Sequence, residues 1–131
     1  MLKEVVAEGR GERVIAMDSI TMVTPEDAGA IVVSGSHGGA SSGAFALEVP
    51  LSAVFFNDAG IGKDGAGIVA LEMLQAAGVA AGTVSHNSAR IGDARDCWES
   101  GVISRCNAAA RALGIETGEN LRAALSRLLA R

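Results

Sequence analysis

The stretch Val54-Phe55-Phe56-Asn57-Asp58-Ala59-Gly60-Ile61-Gly62-Lys63-Asp64-Gly65-Ala66-Gly67 decides the fold. It opens on a short apolar run that stops at Asn57-Asp58, the pattern of a buried strand bounded by turn residues. Four glycines and a lysine follow before a helical pattern begins at Ile68. A strand that passes through a glycine-rich turn into a helix is half of a parallel βαβ unit. The spacing predicts a strand over Ser52–Phe56 and a helix from about Asp64 to Ala77, with Gly78 as its stop.

The same alternation extends in both directions. Upstream, Lys3–Glu8 and Arg13–Met17 read as a hairpin turned at Gly9-Arg10-Gly11. Thr24-Pro25-Glu26-Asp27 is a helix start with a Thr cap, Pro at the first position and acids in the first turn; Gly29 ends it after one turn. A strand over Ala30–Ser34 runs into Gly35-Ser36-His37-Gly38-Gly39, and a short helix capped by Ser41 or Ser42 stops before Pro50. Downstream, Ala81–Ser85 is a strand ending in His86. A helical pattern covers about Ala94 to Leu113, with a possible break at Gly101 and an apolar face of Val102, Cys106, Ala109 and Leu113. Thr117 caps a last amphipathic helix carrying Leu121, Leu125 and Leu128. Strands alternating with helices over short connections imply right-handed crossovers. The predicted fold is a three-layer α/β domain with a mostly parallel sheet and the N-terminal hairpin at one edge.

At 131 residues the chain is one domain with a single core. Its 49 % hydrophobic content, 17 glycines and lack of tyrosine point to tight turns and a core of Ala, Val, Ile and Leu. So high an apolar fraction predicts a homo-oligomer. A net charge of −4 and the lack of a basic stripe argue against nucleic-acid binding. No apolar run is long enough to span a bilayer and Met1-Leu2-Lys3-Glu4 does not open a signal peptide, so the expected location is the cytoplasm. Cys97 and Cys106 have neither metal-site spacing nor a disulfide framework around them, and Cys106 reads as core.

Parallel strands bring their carboxyl ends to one edge, and here those ends are polar: Ser36-His37, Asn57-Asp58 and Ser85-His86, with Asp18-Ser19 as a possible fourth. Both histidines of the chain lie there. Two readings compete: the polar groups cap one another and pin the loops, or they form a ligand pocket. On the second reading His37, Asp58 and His86 are the catalytic candidates. Ser36, Gly38, Gly39, Asn57, Gly60, Gly62, Lys63, Ser85 and Arg90 are the ligand-binding ones.

Acid–base work by the histidines, with Asp58 tuning one of them, demands least. If a metal is held, His37, Asp58 and His86 are its ligands, in a set suited to zinc, iron or manganese. A serine nucleophile, Ser36 or Ser85, lacks the G-x-S-x-G elbow. Gly60–Gly65 matches G-x-G-x-x-G, yet no acid ends the next strand to hold a ribose, and Asp64 stands where a Walker A loop has Ser or Thr. No cofactor is assigned on it. A glycine-rich helix start with Lys63 suits a carboxylate or phosphate, which makes this an anion-binding loop and the ligand a small anion. Arg90 either binds that ligand or pairs with Asp93.

Three motifs carry a resemblance over nearly the full length: Ser34-Gly35-Ser36-His37-Gly38-Gly39, Asn57-Asp58-Ala59-Gly60-Ile61-Gly62-Lys63-Asp64 and Thr83-Val84-Ser85-His86-Asn87-Ser88-Ala89-Arg90-Ile91-Gly92-Asp93. On them the chain resembles a family of small uncharacterised bacterial α/β proteins, which implies no particular activity. More distantly, the order strand–His-Gly, strand–turn, helix and strand is similar to caspase-like domains of the CHAT type. That resemblance would make His37 a general base and put a nucleophilic cysteine near Asp58-Ala59. No cysteine stands there, so it implies a non-catalytic, pseudo-peptidase relative. Three functions are therefore carried forward: a cytoplasmic enzyme for a small anionic metabolite, a ligand-binding or regulatory module, and a protein of purely structural role.

Overall fold

The structure, a computed structural model, describes all 131 residues. Six strands, β1 (Lys3–Gly9), β2 (Glu12–Met17), β3 (Ile31–His37), β4 (Ala53–Asn57), β5 (Ala80–Val84) and β6 (Ile103–Cys106), form one sheet in sequence order. β2 to β5 are parallel, and β1 and β6 close the two edges antiparallel. The expected α/β sheet with an edge hairpin is thus present. The β1–β2 turn is made by Arg10 and Gly11, both at positive φ (54° and 79°), the backbone that two-residue hairpins require.

Five helices flank the sheet: α1 (Ala40–Leu47), α2 (Val69–Ala76), α3 (Ala94–Ser100), α4 (Ala108–Ala112) and α5 (Leu121–Ala130). Successive strand residues point to opposite faces, so the fully buried Phe55 and Phe56 anchor two separate cores. Phe56 packs with Ile15, Val32, Ala46 of α1, and Leu71 and Leu74 of α2. Phe55 packs with Val14, Val33, Cys97 and Trp98 of α3, and Leu125 of α5. The three layers are α1–α2, sheet, and α3–α5. Gly43 lets α1 and α2 approach closely: a Cβ there would lie 2.7 Å from Met73 Sδ and 3.2 Å from Ala70 Cα.

This layering sets the geometry of the sheet's carboxyl edge. The chain leaves β3 and β4 toward the α1–α2 face, but it leaves β5 toward α3 on the opposite face. The carboxyl ends of β4 and β5 are therefore the one point where the chain leaves neighbouring parallel strands toward opposite faces, the arrangement at which α/β sheets bind ligands.

Three expectations fail locally. Residues 94–113 are not one helix: α3 stops at Gly101, β6 pairs with β5, and α4 follows from Asn107. Cys106 thus sits on a strand, although it is buried as expected. The caps also differ. Gly39, not Ser41 or Ser42, precedes α1, and α5 is capped by Asn120, whose Oδ1 accepts the Ala123 N–H at 2.9 Å, rather than by Thr117. Finally, α2 starts at Val69 instead of Asp64, because Asp64 and Gly65 adopt left-handed backbone (φ 56° and 71°) that no right-handed helix can include.

Candidate functional site

At the end of β3 the backbone bulges out of the ladder, since Val33 pairs with Phe55 and the next pair is His37 with Asn57. Local bonds hold the bulge. The Ser34 hydroxyl accepts the Ser36 N–H at 2.9 Å, and Ser36 Oγ accepts the Ile20 N–H at 3.0 Å. Gly35 admits the close passage of the loop after β5: a Cβ there would lie 2.7 Å from Gly92 C and 2.6 Å from Asp18 O.

His37 is exposed, and its Nδ1 accepts the Gly39 N–H at 2.9 Å. In the neutral ring the proton is therefore on Nε2. His37 faces a pocket of about 360 Å³ shared with Asp18, Ser41, Phe45 and Ile91. Gly38 and Gly39 are buried and leave room for neighbours. A Cβ on Gly38 would lie 2.5 Å from Gly67 O, and one on Gly39 would meet the His37 ring.

β4 ends in two buried polar side chains. Asn57 is completely enclosed; its Nδ2 donates to Ala89 O at 2.9 Å, and its Oδ1 accepts the Ala59 N–H at 2.8 Å. It ties the β4 loop to the loop after β5. Asp58 Oδ1 accepts two backbone N–H groups, Gly60 at 2.8 Å and His86 at 3.1 Å. Burial alone would raise the Asp58 pKa. The Ser104 hydroxyl, these two N–H groups and the His86 ring together outweigh burial and lower it, so Asp58 stays an anion at neutral pH.

The glycine loop has an uncommon backbone. Ala59, Gly60, Ile61 and Gly62 are all left-handed, with φ between 51° and 78°. Their N–H groups are already donated: Ala59 to Asn57, Gly60 to Asp58, Ile61 to Asp58 O at 2.6 Å, and Gly62 to Gly60 O at 2.7 Å. This corrects the picture of Gly60 and Gly62 as donors at a helix N-terminus. The loop instead satisfies itself internally, with Lys63 exposed at its end.

His86 lies beside this loop, its backbone N–H donating to Asp58 Oδ1 at 3.1 Å. Its Nδ1 is 3.4 Å from Asp58 Oδ1, and the ring is half exposed at 51 % while Asp58 is 5 % exposed. A Cβ on Gly60 would lie 3.5 Å from His86 Cε1, so glycine leaves the space beside the imidazole open. An imidazole whose Nδ1–H faces a buried carboxylate presents Nε2 outward as a base or ligand. On β6 the Ser104 hydroxyl, 2.9 Å from Thr83 Oγ1, adds to the lowering of the Asp58 pKa. Sequence reading missed Ser104 because it placed that segment in a helix.

Other candidates are tied internally. Ser85 Oγ donates to Ser88 Oγ at 2.9 Å. Arg90 and Asp93 do not pair. Asp93 caps α3 by accepting the Asp96 N–H at 3.0 Å, and the Arg90 backbone N–H donates to Asp96 Oδ2 at 2.8 Å, which leaves the guanidinium exposed. Asp58, His86 and Gly60 are thus brought together, with Asn57 beneath them, whereas His37 occupies its own pocket two strands away. No three His, Cys, Asp or Glu side chains converge as metal ligands, so His37, Asp58 and His86 do not form the conditional metal set. Cys97 and Cys106 are free, buried thiols, and burial pushes the Cys97 pKa up to about 11. Compared with family models, characterised proteins and solved structures, the chain matches none.

Proposed function

We propose that the carboxyl ends of β4 and β5 form an acid–base site for a small anionic metabolite. The observation that carries this reading is the buried Asp58 carboxylate held 3.4 Å from Nδ1 of a half-exposed His86 at the point where the sheet's connections diverge. In this reading His86 takes up or releases a proton through Nε2, and Asp58 orients the ring through Nδ1. Lys63 and Arg90 supply positive charge for the anion. His37, in its own pocket beside β3, stands outside this site. Ser36, Ser85 and Asn57 hold the loops, and Gly60 keeps the approach to the imidazole open.

A ligand-binding module without catalysis is the second reading. It is favoured by the satisfaction of the rim, where no buried side-chain N or O lacks a hydrogen-bond partner. We place the protein in the cytoplasm as a homo-oligomer with no nucleic-acid partner. Exposed Met1 (85 %) and Val5 (48 %) at the free β1 edge support a subunit contact. No helix is long and apolar enough to cross a membrane.

Thermal-shift screening of small carboxylates and phosphate monoesters tests the site. At least one anion should raise the melting temperature of the unmodified protein. The shift should shrink in Lys63→Ala and vanish in His86→Gln, while both variants melt like the parent without ligand. A shift undiminished in His86→Gln would overturn the proposal. Turnover of the active compound, followed by NMR of the mixture, separates enzyme from binding module.

A further inference from the structure

The largest cavity of the molecule lies away from the carboxyl edge, in a groove of about 530 Å³ between α2 and the β6–α4 corner. Ile68, Leu71, Ala76 and Ala108 give it apolar walls, and Arg105 and Arg111 stand at its rim against a single acid, Glu72. The walls are tied together. Gln75 Oε1 accepts the Ala109 N–H at 2.9 Å, and Asn107 Nδ2, which bonds Val79 O at 2.9 Å, reaches Leu71 O at 3.3 Å. The groove therefore exists without a ligand, in the size range of small-molecule sites.

The two guanidiniums are fixed by the strand they flank. Arg105 Nη1 donates to Ser104 O at 2.8 Å, and Arg111 Nη1 donates to Cys106 O. Each uses one N–H of five and keeps the remainder for a carboxylate fork. An apolar trough with two anchored cations and one acid at its edge matches a molecule with an apolar body and one negative head.

We infer that this groove binds an amphipathic monoanion, with the carboxylate on Arg105 and Arg111 and an alkyl body along Ile68, Leu71 and Ala76. The inference is independent of the His86 site, since it shares no residue with it.

Sodium octanoate is the probe, titrated into the ¹⁵N-labelled full chain, with 1-octanol as the uncharged control. Binding should saturate, and amide shifts should concentrate in 68–76 and 105–111. Arg105→Ala should weaken octanoate about tenfold, as expected for loss of one charged fork, and leave octanol binding unchanged. Ala76→Trp, at an exposed position of α2, should fill the groove and abolish both. Equal affinity for octanoate and octanol, shifts centred on the carboxyl edge, or no saturation at millimolar octanoate would each overturn the assignment. If Arg105→Ala fails to fold, Arg105→Gln and Arg111→Lys, which keep length or charge but lose the fork, make the same comparison.

Discussion

Replacing Asn57 by Ala should cost about 2–4 kcal/mol of folding stability. The side chain is fully buried and makes two backbone hydrogen bonds, to Ala89 O at 2.9 Å and from Ala59 N at 2.8 Å. Ala89 is itself buried, so its carbonyl loses its side-chain partner where water does not reach; such an orphan costs about 1–3 kcal/mol. Ala59 is exposed, and water replaces part of what its N–H loses. The vacated side-chain volume adds the remainder. Asn57→Asp keeps the acceptor but removes the donor and buries a charge, so it should cost more than Asn57→Ala. Urea unfolding measures both. The midpoint should fall with an unchanged slope, since the surface exposed on unfolding is the same. Hydrogen exchange should also accelerate at Gly92, whose N–H bonds Gly35 O in the loop that Asn57 anchors. A loss below about 1 kcal/mol for Asn57→Ala at constant slope would refute the reasoning, because an orphaned buried carbonyl cannot cost so little.

The two histidines should respond differently. His86→Gln should change stability by no more than about 0.5 kcal/mol, as its ring is half exposed, whereas His37→Ala should lose about 0.5–1.5 kcal/mol with the bond from the Gly39 N–H. Thermal denaturation of the pair decides this. Acid should unfold the protein through Asp18, Asp27 and Asp58. Asp18 is lowered by the Ala94 and Leu2 N–H groups; at Asp27 and Asp58 burial opposes the shift, but hydrogen bonds from Thr24 and Lys3, and from Ser104, Gly60 and His86, prevail. A carboxyl lowered on folding stabilises above its unfolded pKa of about 3.9 and loses that contribution as pH falls through the folded value. Stability should be level from neutral pH to about 5 and fall below about 4, less steeply in Asp27→Asn and Asp58→Asn.

Strands with strong punctuation were legible in the sequence. β1 to β5, the Arg10-Gly11 turn and the Thr24-Pro25 start are set by local chemistry, and the polar strand ends follow once the sheet is parallel. β6 was not legible, because Val102, Cys106, Ala109 and Leu113 are spaced like a helical face. Only the tertiary pairing of Arg105 with Thr83 makes the segment a strand. Gly101 was the available signal: a Cβ there would lie 2.3 Å from Cys97 O and 2.7 Å from Val84 Cγ1, so it marks a close approach as well as a helix stop. The glycine loop misled in another way. Composition located it between strand and helix, but it could not reveal that Asn57, Asp58 and the loop's own carbonyls use up its N–H groups. Asn57 read as a ligand contact for the same reason, since an amide at a strand end is identical in sequence whether it faces solvent or the interior.

The central claim is that Asp58 holds His86 with Nδ1 protonated and Nε2 free toward solvent. Long-range ¹H–¹⁵N correlation spectra of the imidazole at neutral and mildly alkaline pH report that tautomer directly. The account predicts an Nδ1–H form for His86 in the unmodified protein, a mixed population once Asp58→Asn removes the carboxylate, and a change at Nε2 on adding an anion that raises the melting temperature. A predominant Nε2–H form, or a tautomer unaffected by Asp58→Asn, would contradict it.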